Sequence, residues 1–240
     1  MIESLEGRAA LVTGAGGGIG GAIAEALARN GAVVGLVGRR RQSLDRVARR
    51  IGESPHAVYE VDLSSDTGVR STVRSFLRRF GRLDVLVHSN GTYSAGALDR
   101  ASVRAFDRLW STNVRSPFLL TQLLIPALRE AQGQVVFVNS SVGLETRPGV
   151  GQYSATQHAL HALAESLRHE LNPEGIRILN VYPGRTATER QRKIFRNEER
   201  PYFPERLLQA TDIAVIVVES LGLPRTAEVT QVRIRPMLKH

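Results

Sequence analysis

A glycine-rich turn between a strand-like and a helix-like segment is the feature that most constrains the fold. The run Thr13-Gly14-Ala15-Gly16-Gly17-Gly18-Ile19-Gly20-Gly21 follows an apolar segment at 8–12 and precedes helical spacing at 22–31. This order is the context of a dinucleotide-binding turn, because glycines let the backbone approach a pyrophosphate and the helix N-terminus offers free N–H groups. Glycines are also ordinary loop residues, so the prediction needs support from the rest of the chain.

Strand-like and helix-like segments alternate along the chain. Strands are predicted at 8–12, 32–37, 57–61, 84–88, 134–138, 176–181 and 228–234, and helices at 22–31, 42–51, 65–81, 101–128, 151–171 and 212–221. We expect the 101–128 helix to be interrupted around 112–114, with Pro117 in the first turn of a new helix. The alternation predicts an α/β fold, with right-handed βαβ units in a single-domain Rossmann-like doubly wound parallel β-sheet flanked by helices over residues 1–240.

The segment 188–204 differs from the rest because it is polar, charged and bounded by proline. We predict a mobile loop or substrate lid there. Its basic side chains could favour an anionic substrate, although a solvated face is the interpretation we prefer.

Composition excludes several classes of protein. With no cysteine, disulfides, thiolate metal sites and cysteine nucleophiles are excluded, and we expect no metal site. No segment has the roughly 20 apolar residues of a membrane helix, and residues 1–7 do not resemble a signal peptide. We therefore expect a cytoplasmic protein without a membrane partner. The formal charge of +9 comes almost entirely from scattered arginines, so we expect no nucleic-acid partner.

The end of the second predicted strand bears on the choice of cofactor. An acidic residue there would bind the ribose 2′-hydroxyl of NAD, whereas this chain has Gly38-Arg39-Arg40-Arg41. Arginine can pair with a 2′-phosphate through charge-assisted hydrogen bonds. The run therefore favours NADP(H) over NAD(H), which remains possible, and a basic loop without a ligand is the alternative.

A phenol and an amide lie one helical turn apart near the start of the predicted 151–171 helix. Tyr153 and Gln157 share a face there, because residues four apart are neighbours on a helix. A phenol on a rigid element is a candidate proton donor. Its neighbour should be able to adjust the pKa of the phenol, but here it is a neutral amide. These two residues therefore do not decide whether the chain is a working enzyme.

Several motifs together resemble the short-chain dehydrogenase/reductase family across essentially the whole chain. They are Thr13-Gly14-x-x-x-Gly18-x-Gly20, Asp62-Leu63, Asn113-Val114, Ser140 thirteen positions before Tyr153, and Pro183-Gly184 with Thr188. The resemblance implies hydride transfer between a nicotinamide and a small-molecule carbonyl or alcohol. Tyr153 would be the general acid or base, Ser140 would polarise the substrate oxygen, and Asn113 would order a water relay. Ser141 would need a one-residue deletion before Tyr153, so Ser140 is preferred.

The resemblance also implies which residues bind the cofactor. They are Gly14, Gly16, Gly18, Ile19, Gly20, Arg39, Arg40, Asp62, Leu63, Asn90, Gly91, Tyr153, Gln157, Pro183, Gly184, Thr186 and Thr188. Family members commonly form dimers and tetramers through their long central helices, so a homodimer or homotetramer is expected.

Three positions depart from the family pattern. Gln157 stands where the family has a lysine that holds the nicotinamide ribose and lowers the tyrosine pKa. An amide can still bind a ribose hydroxyl but supplies no positive charge. His88-Ser89-Asn90-Gly91 replaces the usual Asn-Asn-Ala-Gly, and Thr186 replaces an aliphatic residue. A catalytically impaired or silent dinucleotide-binding protein is therefore the alternative to an NADP(H)-dependent oxidoreductase.

Overall fold

The computed structural model describes residues 4–238 and contains one sheet of seven parallel strands. The strands lie in the order β3-β2-β1-β4-β5-β6-β7. They are β1 Ala9–Thr13, β2 Val33–Gly38, β3 His56–Glu60, β4 Val85–His88, β5 Gln134–Val138, β6 Arg177–Pro183 and β7 Gln231–Ile234. Residues 1–3 and 239–240, the ends of the predicted 1–240 domain, lie outside the described residues.

Helices cover both faces of this sheet. They are α1 Gly18–Arg29, α2 Arg41–Ile51, α3 Asp66–Phe80, α4 Val103–Trp110, α5 Ser116–Ala131, α6 Gly151–Leu171, α7 Glu189–Asn197 and α8 Ala210–Leu221. One apolar core joins the sheet to α1, α2 and α8, and a second joins it to α3, α5 and α6. A parallel sheet that is buried on both faces has strands that are apolar along most of their length. The predicted doubly wound α/β fold is confirmed.

The first helix begins inside the glycine run, at Gly18, so the predicted start at residue 22 was wrong. Glycine is a poor helix former, so helix propensity does not predict that these residues begin a helix. Close packing explains their presence, because a Cβ on Gly20 would lie 2.5 Å from the Gly14 carbonyl oxygen. A side chain at position 20 does not fit in this first turn.

A π-helical turn produces the predicted interruption of the long helix. It spans Ser111–Arg115 between α4 and α5, and it buries Asn113 and Val114. Pro117 lies in the first turn of α5, as predicted. The extra residue in a π turn re-aims side chains, and such turns frequently occur at functional sites. Here it turns Asn113 inward, toward α6.

The segment 188–204 is not simply a loop, because it contains helix α7. The Thr188 hydroxyl accepts a hydrogen bond from the Gln191 backbone N–H at 3.2 Å and caps the helix. Phe195 is buried and carries the Arg185 guanidinium 4.6 Å from its ring centroid. The expectation of a loop was wrong for Glu189–Asn197, because one buried aromatic anchors an otherwise charged helix, whereas the lid stays a prediction.

The last strand is shorter than predicted, and β7 begins at Gln231 rather than residue 228. Glu228 uses its side chain at the sheet edge instead. Its carboxylate accepts a hydrogen bond from the Ile178 backbone N–H at 2.7 Å and another from Asn172 Nδ2 at 3.2 Å. Alternation of side chains could not distinguish this side-chain cap from a strand residue.

Asp84→Ala is expected to lower the free energy of unfolding by roughly 1–3 kcal/mol, the cost of stranding a buried donor. The buried Asp84 carboxylate accepts from the Ala9 backbone N–H at 2.8 Å and pairs with Arg82. Urea unfolding followed by circular dichroism measures the change. The matched control is Asp99→Ala, since that exposed carboxylate pairs with the exposed Arg100. The control should stay within about 0.5 kcal/mol of the parent. Equal effects of the two substitutions would contradict this account of Asp84.

Within residues 4–238, no helix is long and apolar enough to cross a membrane. The same part of the chain holds no cluster of three or more His, Asp or Glu side chains suited to a metal ion.

Candidate active site

The glycine turn presents an open helix N-terminus at the carboxyl edge of the sheet. Among the described residues, no side chain caps α1 and its first turn holds no acidic residue. Gly17 and Gly18 are exposed, so the first N–H groups of α1 are accessible to an anion. Gly14 has φ +65°, and a Cβ there would lie 2.5 Å from the Ser89 carbonyl oxygen. This geometry suits a bound pyrophosphate.

The far side of the turn carries the candidate ribose contacts. A Cβ on Gly16 would lie 3.0 Å from the Ser43 Cβ, so backbone and α2 approach closely here. Arg39 and Arg40 are exposed where β2 ends. Within residues 4–238, neither has an ion-pair partner, whereas Arg41 Nε pairs with Asp45 at 2.8 Å. Two guanidinium groups are therefore available for an anion such as a 2′-phosphate.

Further candidate cofactor residues follow β3 and β4. Asp62 is exposed, and its carboxylate accepts the Ser64 backbone N–H at 3.0 Å, while Leu63 is buried. The Asn90 carboxamide accepts a hydrogen bond from the Thr13 hydroxyl at 2.8 Å and donates to the Thr112 carbonyl oxygen at 3.2 Å. Its side chain therefore ties β1, β4 and the π turn together, which leaves its backbone for contact with a ligand.

His88, in the stretch expected to depart from the family pattern, is a core residue. Its ring is buried, stacks on Phe137 at 4.9 Å between centroids, and places Nε2 2.8 Å from the Thr121 hydroxyl. Burial lowers the pKa of His88 to about 3, so the imidazole is neutral. This side chain packs in the core rather than at the carboxyl edge.

Tyr153 and Ser140 meet at that edge. Ser140 follows β5 and its hydroxyl hydrogen-bonds the phenol of Tyr153, which lies in the first turn of α6. Burial raises the pKa of the Tyr153 phenol, while the Arg190 charge and the hydrogen bond from Ser140 act to lower it. Tyr93 packs edge-on against the same ring at 5.0 Å between centroids. The phenol is thus held on two sides and protonated at neutral pH.

A buried hydroxyl links the remaining candidate catalytic residues. Thr156 Oγ1 donates to the Tyr153 carbonyl oxygen at 2.8 Å. It accepts from Asn113 Nδ2 at 3.1 Å and from Gln157 Nε2 at 3.4 Å. The Asn113 carboxamide also bonds the backbone N–H and carbonyl oxygen of Thr92. Asn113 and Gln157 are therefore fixed by Thr156, a residue that the sequence analysis did not single out.

Asn139 positions the serine segment. Its Oδ1 accepts the Ser140 backbone N–H at 2.7 Å and its Nδ2 donates to the Gln157 carbonyl oxygen at 3.0 Å. A Cβ on Gly143 would lie 2.5 Å from Asn139 Oδ1, so only glycine fits beside this bridge. Asn139 was not among the residues predicted from the sequence. The close fit of Gly143 against its side chain indicates its structural role.

The chain after β6 forms the remaining wall. Pro183 ends β6, and the Gly184 backbone N–H donates to the Ile234 carbonyl oxygen at 2.8 Å. The buried Thr186 donates its hydroxyl to the Gly184 carbonyl oxygen at 3.1 Å. Thr188 lies against the glycine turn, because a Cβ on Gly18 would meet its Cγ2 at 2.7 Å. The candidate cofactor residues therefore follow one another along the carboxyl edge of the sheet, from Arg39 to Thr186.

The short chain dehydrogenase model matches residues 8–199. The chain belongs to the short chain dehydrogenase family. It is 30% identical to an uncharacterized oxidoreductase of Staphylococcus saprophyticus subsp. saprophyticus over 241 residues, covering 99% of this chain and 100% of the relative.

Solved structures of an alcohol dehydrogenase and a reductase share the fold of nearly the whole chain. An alcohol dehydrogenase from the archaeon Thermococcus sibiricus, complexed with 5-hydroxy-NADP, superposes with a TM-score of 0.88 at 27% identity, covering 98% of this chain and 99% of that one. A 3-ketoacyl-(acyl-carrier-protein) reductase from Brucella melitensis, complexed with NADH, superposes with a TM-score of 0.85 at 29% identity, covering 96% and 98%. The family assignment makes this protein an oxidoreductase, and relatives of similar fold bind either nicotinamide cofactor.

Proposed function

We propose that this short-chain dehydrogenase is an NADP(H)-dependent oxidoreductase acting on a carbonyl or alcohol group of a small molecule. The observation that carries the proposal is the hydrogen bond between Ser140 and the buried Tyr153 phenol at the carboxyl edge of the sheet. Open strand ends and an uncapped helix N-terminus beside this pair offer room for a dinucleotide. The bound cofactor would supply the hydride.

The residues of this chain would supply orientation and the proton. Ser140 would donate its hydroxyl hydrogen to the substrate carbonyl oxygen and hold it against the phenol. Tyr153 would then transfer its phenolic proton to that oxygen as negative charge develops there. Asn113 and Thr156 would keep α6 in register with the π turn, and the Gln157 amide would bind a ribose hydroxyl.

The raised pKa of Tyr153 favours the reduction direction. A phenol that stays protonated through neutral pH is ready to act as the acid, whereas alcohol oxidation needs the phenolate. We expect reduction to be nearly independent of pH around neutrality and oxidation to increase toward alkaline pH. NADPH consumption with a panel of ketones and aldehydes tests the activity. Tight NADPH binding without turnover of any substrate would contradict it.

A catalytically silent dinucleotide-binding protein is the second candidate, favoured by the neutral Gln157 at the family's lysine position. It would bind the cofactor through the same residues as in the first proposal and would differ only at the proton-transfer site. The two candidates therefore separate on turnover and not on NADPH binding. We also propose a cytoplasmic homodimer or homotetramer, which sedimentation and cell fractionation would test.

Arg39→Ala is expected to weaken NADPH binding by roughly 10- to 100-fold while leaving NADH binding unchanged, because a charge-assisted hydrogen bond contributes about 1.5–3 kcal/mol. Titration of the intrinsic fluorescence with each cofactor measures both affinities. Arg41→Ala is the matched control, since Arg41 is already engaged by Asp45. If Arg39→Ala weakened both cofactors equally, the role in selecting a 2′-phosphate would be contradicted. Arg40→Ala reports whether the neighbouring guanidinium shares the contact.

A further inference from the structure

Helix α7 brings an arginine to the proton-transfer site. Arg190 is the second residue of α7, immediately after the Thr188 cap and Glu189. Its Nη2 donates to the Gly91 carbonyl oxygen at 2.6 Å. This bond joins α7, which lies in the segment predicted as a lid, to the loop after β4.

Gly91 lies close to the catalytic network. A Cβ on Gly91 would lie 3.3 Å from Asn113 Oδ1, and Asn113 reaches the Tyr153 backbone through Thr156. The guanidinium that holds Gly91 is therefore next to the residues that frame the phenol. Its charge acts on Tyr153 in the direction opposite to burial.

Position 157 supplies no positive charge beside the phenol, so a charge from another element would act there. Gln157 lies one helical turn from Tyr153 and carries no charge, yet a phenolate buried without a cation is costly. Only two lysines exist in the chain, Lys193 and Lys239, whereas arginine is abundant. A cation acting at this site comes from α7 in the described structure, not from α6.

We propose that Arg190 is a positioning residue that supplies the positive charge acting on the Tyr153 hydroxyl, which Gln157 cannot supply. The inference rests on the proposed function of Tyr153. Because the charge is carried by α7, closure of this helix onto Gly91 would complete the proton-transfer site. The anchors of α7 in this position are the buried Phe195 and the ion pair between Arg185 and Glu198 at 2.9 Å.

Other titratable and charged groups near the phenol also affect the pH at which it titrates. Tyr93 packs directly on Tyr153, and burial raises its own pKa. Around Tyr93 lie the charges of Arg147, Glu198 and Arg185. These groups are unchanged by substitution of Arg190, so differences between variants report on Arg190 alone.

The test compares the pH dependence of alcohol oxidation by the full chain and by Arg190→Gln, Arg190→Lys and Arg192→Gln. The alkaline rise in kcat should move about one pH unit higher in Arg190→Gln, the effect expected for removal of a nearby opposite charge. Arg190→Lys keeps the positive charge, so its profile should stay close to that of the parent. Arg192 is the matched control, because it lies on the same helix and pairs with Glu189 instead. An unchanged profile in Arg190→Gln would overturn the proposal.

A second readout does not depend on turnover. In NMR spectra of protein labelled with carbon-13 at the tyrosine ζ-carbon, the Tyr153 resonance is assigned as the one that is absent in Tyr153→Phe. We expect that resonance to begin its titration at higher pH in Arg190→Gln than in the parent, both alone and with NADP⁺ bound. A difference that vanished with NADP⁺ would mean that the cofactor displaces Arg190 and would overturn the proposal. If no substrate turned over but the shift persisted, the proposed reaction would fail while the assignment of Arg190 stood.

Discussion

Tyr153→Phe is expected to lower the kcat for NADPH-dependent carbonyl reduction by about 10²–10⁴-fold, the usual contribution of a positioned general acid. The substitution removes the phenolic proton and leaves the ring packed against Tyr93. Ser140 keeps its place, since its hydroxyl also accepts the Val142 backbone N–H at 3.4 Å. Steady-state rates at saturating substrate measure the loss, and NADPH affinity should stay close to that of the parent.

The control for this experiment is Tyr59→Phe. Tyr59 lies on β3, away from Ser140, and its buried hydroxyl has no hydrogen-bond partner within residues 4–238. Its removal should change neither rate nor affinity. If Tyr153→Phe retained the parent rate while Tyr59→Phe did too, the assignment of the general acid would be wrong.

Gln157→Lys should raise the rate of alcohol oxidation at pH 8 by about tenfold or more and change reduction much less. A cation one helical turn from the phenol lowers its pKa by about 1–3 units, and each unit means about ten times more phenolate below that pKa. Oxidation needs the phenolate, whereas reduction uses the protonated form that burial already favours. Rates in both directions between pH 6 and about 10 give the shift directly.

Gln157→Met separates charge from hydrogen bonding in the same position. It removes the weak bond to Thr156 but adds no charge, so we expect no gain in oxidation. An equal gain in the methionine and lysine variants would show that packing, not charge, limits the parent. A parent with clear activity that Gln157→Lys leaves unchanged would contradict the idea that Gln157 silences the protein.

Much of the architecture could be predicted because it follows from local patterns. The apolar strands and the alternation of strands and helices led to the parallel doubly wound sheet, which the structure confirms. The pattern failed where long-range contacts overrode local preference. The start of α1 lies among glycines because only glycine fits beside the Gly14 carbonyl, and α7 forms around a single buried phenylalanine.

The candidate site divides in the same way. The resemblance to the family paired Ser140 with Tyr153, and the structure brings their hydroxyl groups together. Thr156 and Asn139 could not be singled out, because a threonine within a helix and an asparagine after a strand are ordinary residues until their partners are known. In the sequence, Arg190 is one of several charged residues in a basic segment that we expected to be solvated. It contacts Gly91, which lies 99 positions away along the chain.

The sequence by itself determined the fold class and the glycine turn, because both follow from local periodicity and spacing, and it indicated the candidate residues through the resemblance of its motifs to the family. Only the tertiary structure decided which side chains meet. Parallel strands bring their carboxyl ends to one edge, so residues as distant as Gly91, Tyr153 and Arg190 become neighbours there. That Gln157 carries no charge is therefore a local fact, whereas the arginine near the phenol is there only because α7 folds back across the sheet edge.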